Sequence, residues 1–153
     1  MNAAPIVDAP IDLAPADWPK VGQTIGRCDF GPFGLEQLAR YAEASGDDNP
    51  LHLDQDVAAA VGLKKPPIHG MLMMSCFEPA LRQWRRDIVI SRLAGKFLRP
   101  VFAGESISVS GRVALSSLAP QPELLLRLMA HGPNGDLAIL AEATLRRISS
   151  GAI

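Results

Sequence analysis

The chain of 153 residues is 48% hydrophobic and 20% charged, and its formal net charge at pH 7 is −1. This length predicts one domain with a sizeable core, and the composition excludes gross disorder. The small net charge gives no field that attracts nucleic acid or an acidic membrane, and the absence of about 18 consecutive apolar residues argues against a membrane span.

The start of the sequence and its two cysteines bear on the compartment. No basic region followed by an apolar block is present, so no secretory signal is predicted. Cys28 and Cys76 fit neither a disulfide framework nor a zinc-binding spacing, and we expect two reduced thiols. The prediction is a cytoplasmic protein without nucleic-acid or membrane partners.

The first 20 residues are rich in proline and show little periodicity. They predict an extended N-terminal arm, residues 1–20, followed by a single domain at residues 21–153. That domain begins with a predicted short strand over residues 22–30, which Gly31 and Pro32 end.

Two helices are predicted next. Apolar residues recur at helical spacing from Leu35 to Ala42, so we expect an amphipathic helix that ends near Gly46. The alanine-rich stretch that starts with acids at Asp54 predicts a second, short helix, which Gly62 stops.

The segment HGMLMMSCFEPALRQW, residues 69–84, has no polar face over nearly two turns. A helix that is apolar all round is buried, so the segment predicts a central buried helix. Pro79 removes one backbone donor, and we expect a kink or break at this position.

The remaining sequence predicts four consecutive strands. Apolar residues alternate with polar ones over residues 104–117, and strand-like stretches also cover residues 90–101, 123–131 and 137–148. Consecutive strands joined by short turns pair antiparallel. We therefore predict an α+β fold, an antiparallel sheet around one apolar helix, and a homodimer that covers the apolar surface left exposed.

The stretch SGDDNPLHLD, residues 45–54, places acids and a histidine on one irregular loop. On a folded-back loop, Asp47 and His52 can point at the same spot. A carboxylate and an imidazole that share one water molecule form a general acid/base pair. The alternative, favoured when this spacing is taken by itself, is that the acids cap local amides and His52 is a turn residue.

The stretch PPIHGMLMMS places His69 and Gly70 where the apolar helix is predicted to begin. No Ser, Thr, Asp or Asn stands before Met71 to cap the helix, so its free amides need another partner, and a ligand oxygen can serve. Glycine in the first turn lets a ligand approach the backbone closely. A helix end capped by water is the alternative.

Together, SGDDNPLHLD, PPIHGML and the later LRPVFAGESI resemble the signature of the MaoC-like (R)-specific enoyl-CoA hydratases, also called hydratase 2, over about residues 20–148. The resemblance implies a hot-dog fold, in which an antiparallel sheet wraps a long central helix. It implies that Asp47 and His52 hold the water that adds across a 2-enoyl thioester. It also implies that the Gly70 amide donates to the thioester carbonyl and that Asn49 and His69 belong to the substrate-binding region.

The implied partner is an acyl-CoA or an acyl carrier protein thioester. Coenzyme A enters only as part of the substrate, and neither a cofactor nor a metal is expected. Several cations are interpreted mainly as a solvated surface, with contact to coenzyme A phosphates as the alternative. They are Lys64, Lys65, Arg82, Arg85 and Arg86.

Two features depart from the family pattern. The usual Pro-Ile-x-His becomes Pro66-Pro67-Ile68-His69, which shifts the isoleucine by one position, and Glu78 stands where some members carry a small hydroxyl residue facing the site. The second departure bears on the shape of the pocket rather than on the Asp–His pair.

The leading functional prediction is a hydro-lyase that adds water to a 2-enoyl thioester or removes it from an (R)-3-hydroxyacyl thioester. One alternative is a hot-dog acyl thioesterase, against which the spacing of Asp47 and His52 argues. The other is a non-catalytic thioester-binding subunit, against which the two intact motifs argue.

Overall fold

The computed structural model describes residues 17–148, which form an α+β fold with one five-stranded antiparallel sheet. Residues 1–16, which hold most of the predicted N-terminal arm, and residues 149–153 lie outside the described part. The strands are β1 (Thr24–Phe30), β2 (Ile88–Phe97), β3 (Ile107–Ser117), β4 (Glu123–His131) and β5 (Leu137–Arg147). The helices are α1 (Leu35–Ser45), α2 (Gln55–Ala60), α3 (Gly70–Ser75) and α4 (Phe77–Trp84).

The sheet has the strand order β1-β3-β4-β5-β2, with every neighbouring pair antiparallel. Burial alternates along β3 and β4, as expected when one face of a sheet packs against a core. The four predicted C-terminal strands and antiparallel pairing are therefore confirmed, but β2 pairs with β5 and not with β3, the strand that follows it in the sequence. Strands β1 and β2 form the two edges, and most residues of β2 are exposed.

The helical segment that follows α2 differs from the prediction in two ways. Its break lies at Cys76, between α3 and α4, so the kink expected at Pro79 is wrong. Pro79 is the third residue of α4, where the backbone N–H has no intrahelical acceptor, so proline costs the helix no hydrogen bond there. The segment is also not buried all round, because Met71 is 58% exposed.

Small residues on the sheet allow α3 to pack closely. A Cβ atom added to Gly95 of β2 would lie 3.2 Å from the Cβ of Ala141 on β5 and 3.4 Å from the Met74 Cε of α3. Phe77 and Leu81 of α4 are almost completely buried in the same core. Burying side chains of this size stabilises the fold by about 1.5–3 kcal/mol each, so the core fixes where the helix N-terminus emerges.

A polar contact holds residues 17 and 18 against the end of α4. Arg85 forms two hydrogen bonds of 2.8 Å to the Asp87 carboxylate, and its Nη1 donates to the Asp17 carbonyl at 3.0 Å. The guanidinium carbon lies 5.6 Å from the ring centroid of Trp18, which is buried. Arg85 is thus committed to an intramolecular contact, rather than to the solvated surface expected for it.

No helix within residues 17–148 combines the length and apolar character needed to cross a bilayer. Both cysteines are free thiols. Burial raises the pKa of the Cys76 thiol to about 11, which makes it unreactive near neutral pH.

Candidate active site

The loop after α1 is shaped by local hydrogen bonds. Gly46 ends the helix with a φ of 80°, a conformation that favours glycine, and its N–H donates to the Ala42 carbonyl. Asn49 Oδ1 then accepts from the Leu51 amide at 3.0 Å and caps a short 3-10 turn over Pro50–His52. These turns fold the chain back between Asp47 and His52, as the glycine and the Asn-Pro pair predicted.

The segment before α3 is held by the loop that follows β2. The Ile68 amide donates to the Val101 carbonyl at 2.8 Å, and the Ala103 amide donates to the Pro66 carbonyl at 2.9 Å. The stretches PPIHG and LRPVFAG are therefore paired in space, although 27 residues lie between them in the sequence. This pairing places the start of α3 beside the end of β2.

The two loops bring the acid and the histidines together. One side-chain oxygen of Asp47 and one ring nitrogen each of His52 and His69 lie within 4.8 Å of one another. Two hydrogen bonds of about 2.8 Å each through a single water span such a distance. Asp47 and His52 are therefore close enough to share one water molecule.

A backbone carbonyl fixes the tautomer of His52. Its Nδ1 lies 2.7 Å from the Pro67 carbonyl oxygen, which can only accept, so Nδ1 carries the proton and donates. The neutral ring therefore has an unprotonated Nε2 that can accept a proton. The Pro67 carbonyl thus orients the His52 ring and leaves Nε2 unused.

His69 lies behind this pair, with no exposed side-chain surface. Its Nε2–H donates to the Asp47 carbonyl at 3.1 Å, and its ring stacks on that of His52 with centroids 4.1 Å apart and an interplanar angle of 25°. Tyr41 contacts it from α1 at a centroid distance of 4.8 Å. Burial is the main reason that the pKa of His69 is lowered below its ordinary 6.5, so the ring is neutral at pH 7.

Gly70 is the first residue of α3, and no side chain caps this helix. Within residues 17–148, the structure places no acceptor against its N–H. A Cβ atom at this position would lie 2.9 Å from the Phe97 ring, which is half exposed at the end of β2. A side chain at this position would therefore meet the Phe97 ring.

A cleft of about 420 Å³ adjoins these groups. Of the sequence-predicted site residues, Asp47 and Gly70 line it, whereas His52, Asn49 and His69 do not. The rest of its wall is mostly apolar and includes Met71, Met73, Phe97, Leu98 and Arg99. The last three were not predicted as site residues, because their place in the wall depends on the pairing of two distant segments.

Glu78 does not line this cleft. Its carboxylate pairs with Arg82 at 2.8 Å, one turn along α4, and it borders a different, smaller hollow. The departure from the family pattern at Glu78 therefore does not alter the wall of this cleft.

The same three side chains, Asp47, His52 and His69, are the set within the described residues that could hold a metal ion. Their hydrogen bonds limit this chemistry. His52 uses Nδ1 for the Pro67 carbonyl, and His69 uses Nε2 for the Asp47 carbonyl, while its Nδ1 is buried. One carboxylate and one imidazole nitrogen remain, a donor set that suits proton transfer better than tight metal binding.

The strand order and the helical segment packed on the sheet define the protein as a hot-dog protein. The structure of the (R)-hydratase from Aeromonas caviae superposes with a TM-score of 0.79 and 30% sequence identity, over 87% of this chain and 100% of that one. An R-hydratase from Pseudomonas aeruginosa superposes with a TM-score of 0.76 over 88% of this chain and 90% of that one. At 22% identity, this second likeness supports the fold alone.

Sequence comparison then gives the family. The sequence model for the MaoC like domain matches residues 19–116. The (R)-specific enoyl-CoA hydratase of Aeromonas caviae is 35% identical over 118 residues, which cover 74% of this chain and 86% of that protein. A mitochondrial 3-hydroxyacyl-[acyl-carrier-protein] dehydratase of Arabidopsis thaliana is 35% identical over 49% of this chain and 45% of its own. The chain belongs to the MaoC-like family.

Proposed function

We propose that the protein is a hydro-lyase, an (R)-specific enoyl-CoA hydratase that also runs the reverse dehydration of a 3-hydroxyacyl thioester. The observation that carries this proposal is the position of Asp47, whose side-chain oxygen lies within 4.8 Å of a His52 ring nitrogen and which lines one cleft together with Gly70. A relative named for this activity, 35% identical and covered over 86% of its length, supports it.

In the hydration direction, a water molecule lies between the Asp47 carboxylate and Nε2 of His52. The two groups orient this water and remove one of its protons while its oxygen bonds to C3 of the enoyl thioester. The C2=C3 π bond breaks, and its electron pair moves toward the thioester carbonyl. A proton then returns to C2, so water is consumed and the pair regains its starting protonation state.

The negative charge that grows on the carbonyl oxygen needs a donor. The Gly70 N–H is proposed for this role, because it lies at the start of α3 without an acceptor within residues 17–148 and because Gly70 lines the cleft together with Asp47. One oxyanion donor contributes about 3–4 kcal/mol to lowering a barrier of this kind. Asn49 contributes by capping the turn that carries His52 rather than by touching substrate.

The substrate is proposed to be an acyl-CoA thioester, with an acyl carrier protein thioester as the second form. The apolar residues of the cleft wall, Met71, Met73, Phe97 and Leu98, fit an acyl chain. Coenzyme A or the carrier enters as part of the substrate, and the proton transfers assigned here to Asp47 and His52 require no metal or separate cofactor. The cytoplasm is the proposed compartment.

We also propose a homodimer. Strand β2 is an edge strand ten residues long, and most of its residues are exposed. A long exposed edge pairs readily with another strand, and a second copy of the chain offers the same edge for a two-fold contact. Val89, an exposed apolar residue of this edge strand that lies outside the cleft, favours the same interface.

One assay separates this function from its two alternatives. Purified protein is mixed with crotonyl-CoA while the enoyl absorbance and free thiol are followed in parallel. Loss of the enoyl absorbance without free thiol is the result expected for a hydratase. Release of thiol indicates a thioesterase, and binding without either signal indicates a non-catalytic subunit.

A further inference from the structure

His69 is a buried polar side chain for which the reaction described above has no direct use. Its surface is completely covered, so it has no contact area to offer a thioester. It nevertheless touches both members of the reacting pair. It donates a hydrogen bond to the backbone of Asp47, and its ring lies against the ring of His52.

We propose that His69 is a positioning residue, which holds the Asp47 loop and the His52 ring in the relative placement that water activation requires. This inference rests on the proposed hydratase function. It replaces the substrate-binding role that the sequence predicted for His69 with an indirect one.

The contact with Asp47 acts through the main chain. The Nε2–H···O bond of 3.1 Å reaches across 22 residues of sequence, from the start of α3 to the loop after α1. That loop is otherwise exposed around Asp47, so few other contacts fix its position relative to the start of α3. Loss of this donor frees the loop and moves the Asp47 carboxylate relative to His52.

The contact with His52 acts through the ring. The two imidazoles are nearly parallel, and the hydrogen bond from His52 Nδ1 to Pro67 fixes the other edge of the ring. A flat surface on one side and a hydrogen bond at one edge together leave His52 little freedom to rotate. Its basic Nε2 is thereby aimed in one direction.

The positioning role requires a neutral ring. His69 Nδ1 is buried and has no hydrogen-bond partner within the described residues. Protonation of that nitrogen would create a buried donor without an acceptor, beside the ring of His52. Burial accordingly lowers the pKa of His69, and the ring acts as a fixed support rather than as a second proton carrier.

Two substitutions separate the two contacts. His69→Gln retains an N–H donor near the position of Nε2 but has no ring, whereas His69→Phe retains a flat ring but has no donor. We expect kcat on crotonyl-CoA to fall about 100-fold in His69→Phe, with KM nearly unchanged, because a small misplacement of a reacting group has this effect. The kcat of His69→Gln is expected to be at least tenfold higher than that of His69→Phe.

Melting temperatures distinguish positioning from packing. If His69 only fills space, kcat follows the melting temperature across the variants, and His69→Phe is at least as active as His69→Gln. The positioning role predicts the opposite order of activity, whatever the order of melting temperatures. His131→Gln, at the end of β4 and outside the site, is the matched control and should keep wild-type kcat and KM.

A measurement without substrate keeps the inference testable apart from catalysis. In wild-type protein labelled with nitrogen-15 at histidine, NMR reports the tautomers directly. We expect His52 in the Nδ1–H form and His69 in the Nε2–H form, with the pKa of His69 below 6.5. The Nε2–H form for His52, or a His69 that titrates at or above 6.5, overturns the inference even if the variants fail to fold. If the tautomers are as stated but no thioester is hydrated, the proposed function fails and not the geometry.

Discussion

At the scale of single residues, the site depends on which atoms are already hydrogen bonded. His52 uses one ring nitrogen for the Pro67 carbonyl and keeps the other for a proton. The Asp47 side chain is exposed, while its backbone carbonyl accepts from His69. Each residue is thus held through one group, and the proposed mechanism uses another, so substitutions can separate the position of a residue from its proposed chemical role.

The proton-transfer role of Asp47 and His52 gives the first prediction. Asp47→Asn is nearly isosteric but cannot accept a proton from water, and His52→Ala removes the other base. We expect each variant to lose about 100-fold or more of kcat on crotonyl-CoA while its circular dichroism spectrum stays unchanged. Near wild-type turnover in either folded variant shows that the assigned pair is wrong.

The lowered pKa of His69 gives a prediction about stability. The titratable side chains facing it are Asp47, His52 and Tyr41. Between its ordinary pKa of 6.5 and its lower pKa in the folded state, His69 binds a proton more readily in the unfolded chain than in the folded chain. The free energy of unfolding therefore falls as the pH drops below 6.5, by at most about 1.4 kcal/mol per pH unit for this group.

Chemical denaturation of wild type and His69→Gln at about pH 5.5 and pH 7.5 measures this contribution. The wild type should lose more stability than the variant between the two pH values. An equal loss in both proteins would mean that His69 binds its proton as readily in the folded as in the unfolded state.

At the scale of elements, the site depends on how α3 begins. Gly70→Val places a β-branched side chain where the substrate carbonyl is proposed to bind and against the Phe97 ring. We expect turnover to fall more than tenfold, with a small change in melting temperature, because the half-exposed ring can move aside. Rate and melting temperature are measured on the same sample.

The double variant Gly70→Val with Phe97→Ala is the control for this collision. Removal of the ring should restore any lost stability but not the rate, since valine still shields the amide. A single Gly70→Val variant that hydrates crotonyl-CoA normally removes Gly70 from the site.

The elements also show what the sequence could and could not predict. Strands β3 to β5 and helix α1 follow from periodicity, and Gly46 and Asp54 mark helix ends because their local chemistry is strong. The break at Cys76 was missed because a proline in the first turn of a helix costs nothing, and only the tertiary packing decides where α3 stops. Pro79 therefore misled the prediction.

The same limit applies to the site. Asp47, His52 and Gly70 were predicted as site residues because they belong to short motifs that resemble a family signature. The positions of Phe97 and Tyr41 depend on contacts between segments far apart in the sequence. The hydrogen bond of His69 could not be predicted for another reason. Its acceptor is a backbone carbonyl, and every residue has one, so the amino-acid sequence does not show which carbonyl is used.

At the scale of the whole molecule, the exposed edge of β2 predicts assembly. Light scattering at micromolar concentration should give twice the mass of the chain. Val89→Lys puts a charge on this edge at a residue that is 48% exposed, and it should shift the protein toward the monomer. Leu115→Lys on β3, at a residue 62% exposed, is the matched control and should leave the mass unchanged. A wild-type monomer at this concentration contradicts the proposed homodimer.

The central claim is that this chain adds water across an enoyl thioester. The most direct test is chiral analysis of the product after incubation of the wild-type protein with crotonyl-CoA, with Asp47→Asn in parallel. The expected product is (R)-3-hydroxybutyryl-CoA, formed by the wild type and nearly absent with the variant. Unchanged crotonyl-CoA, free coenzyme A, or equal product from both proteins would contradict it.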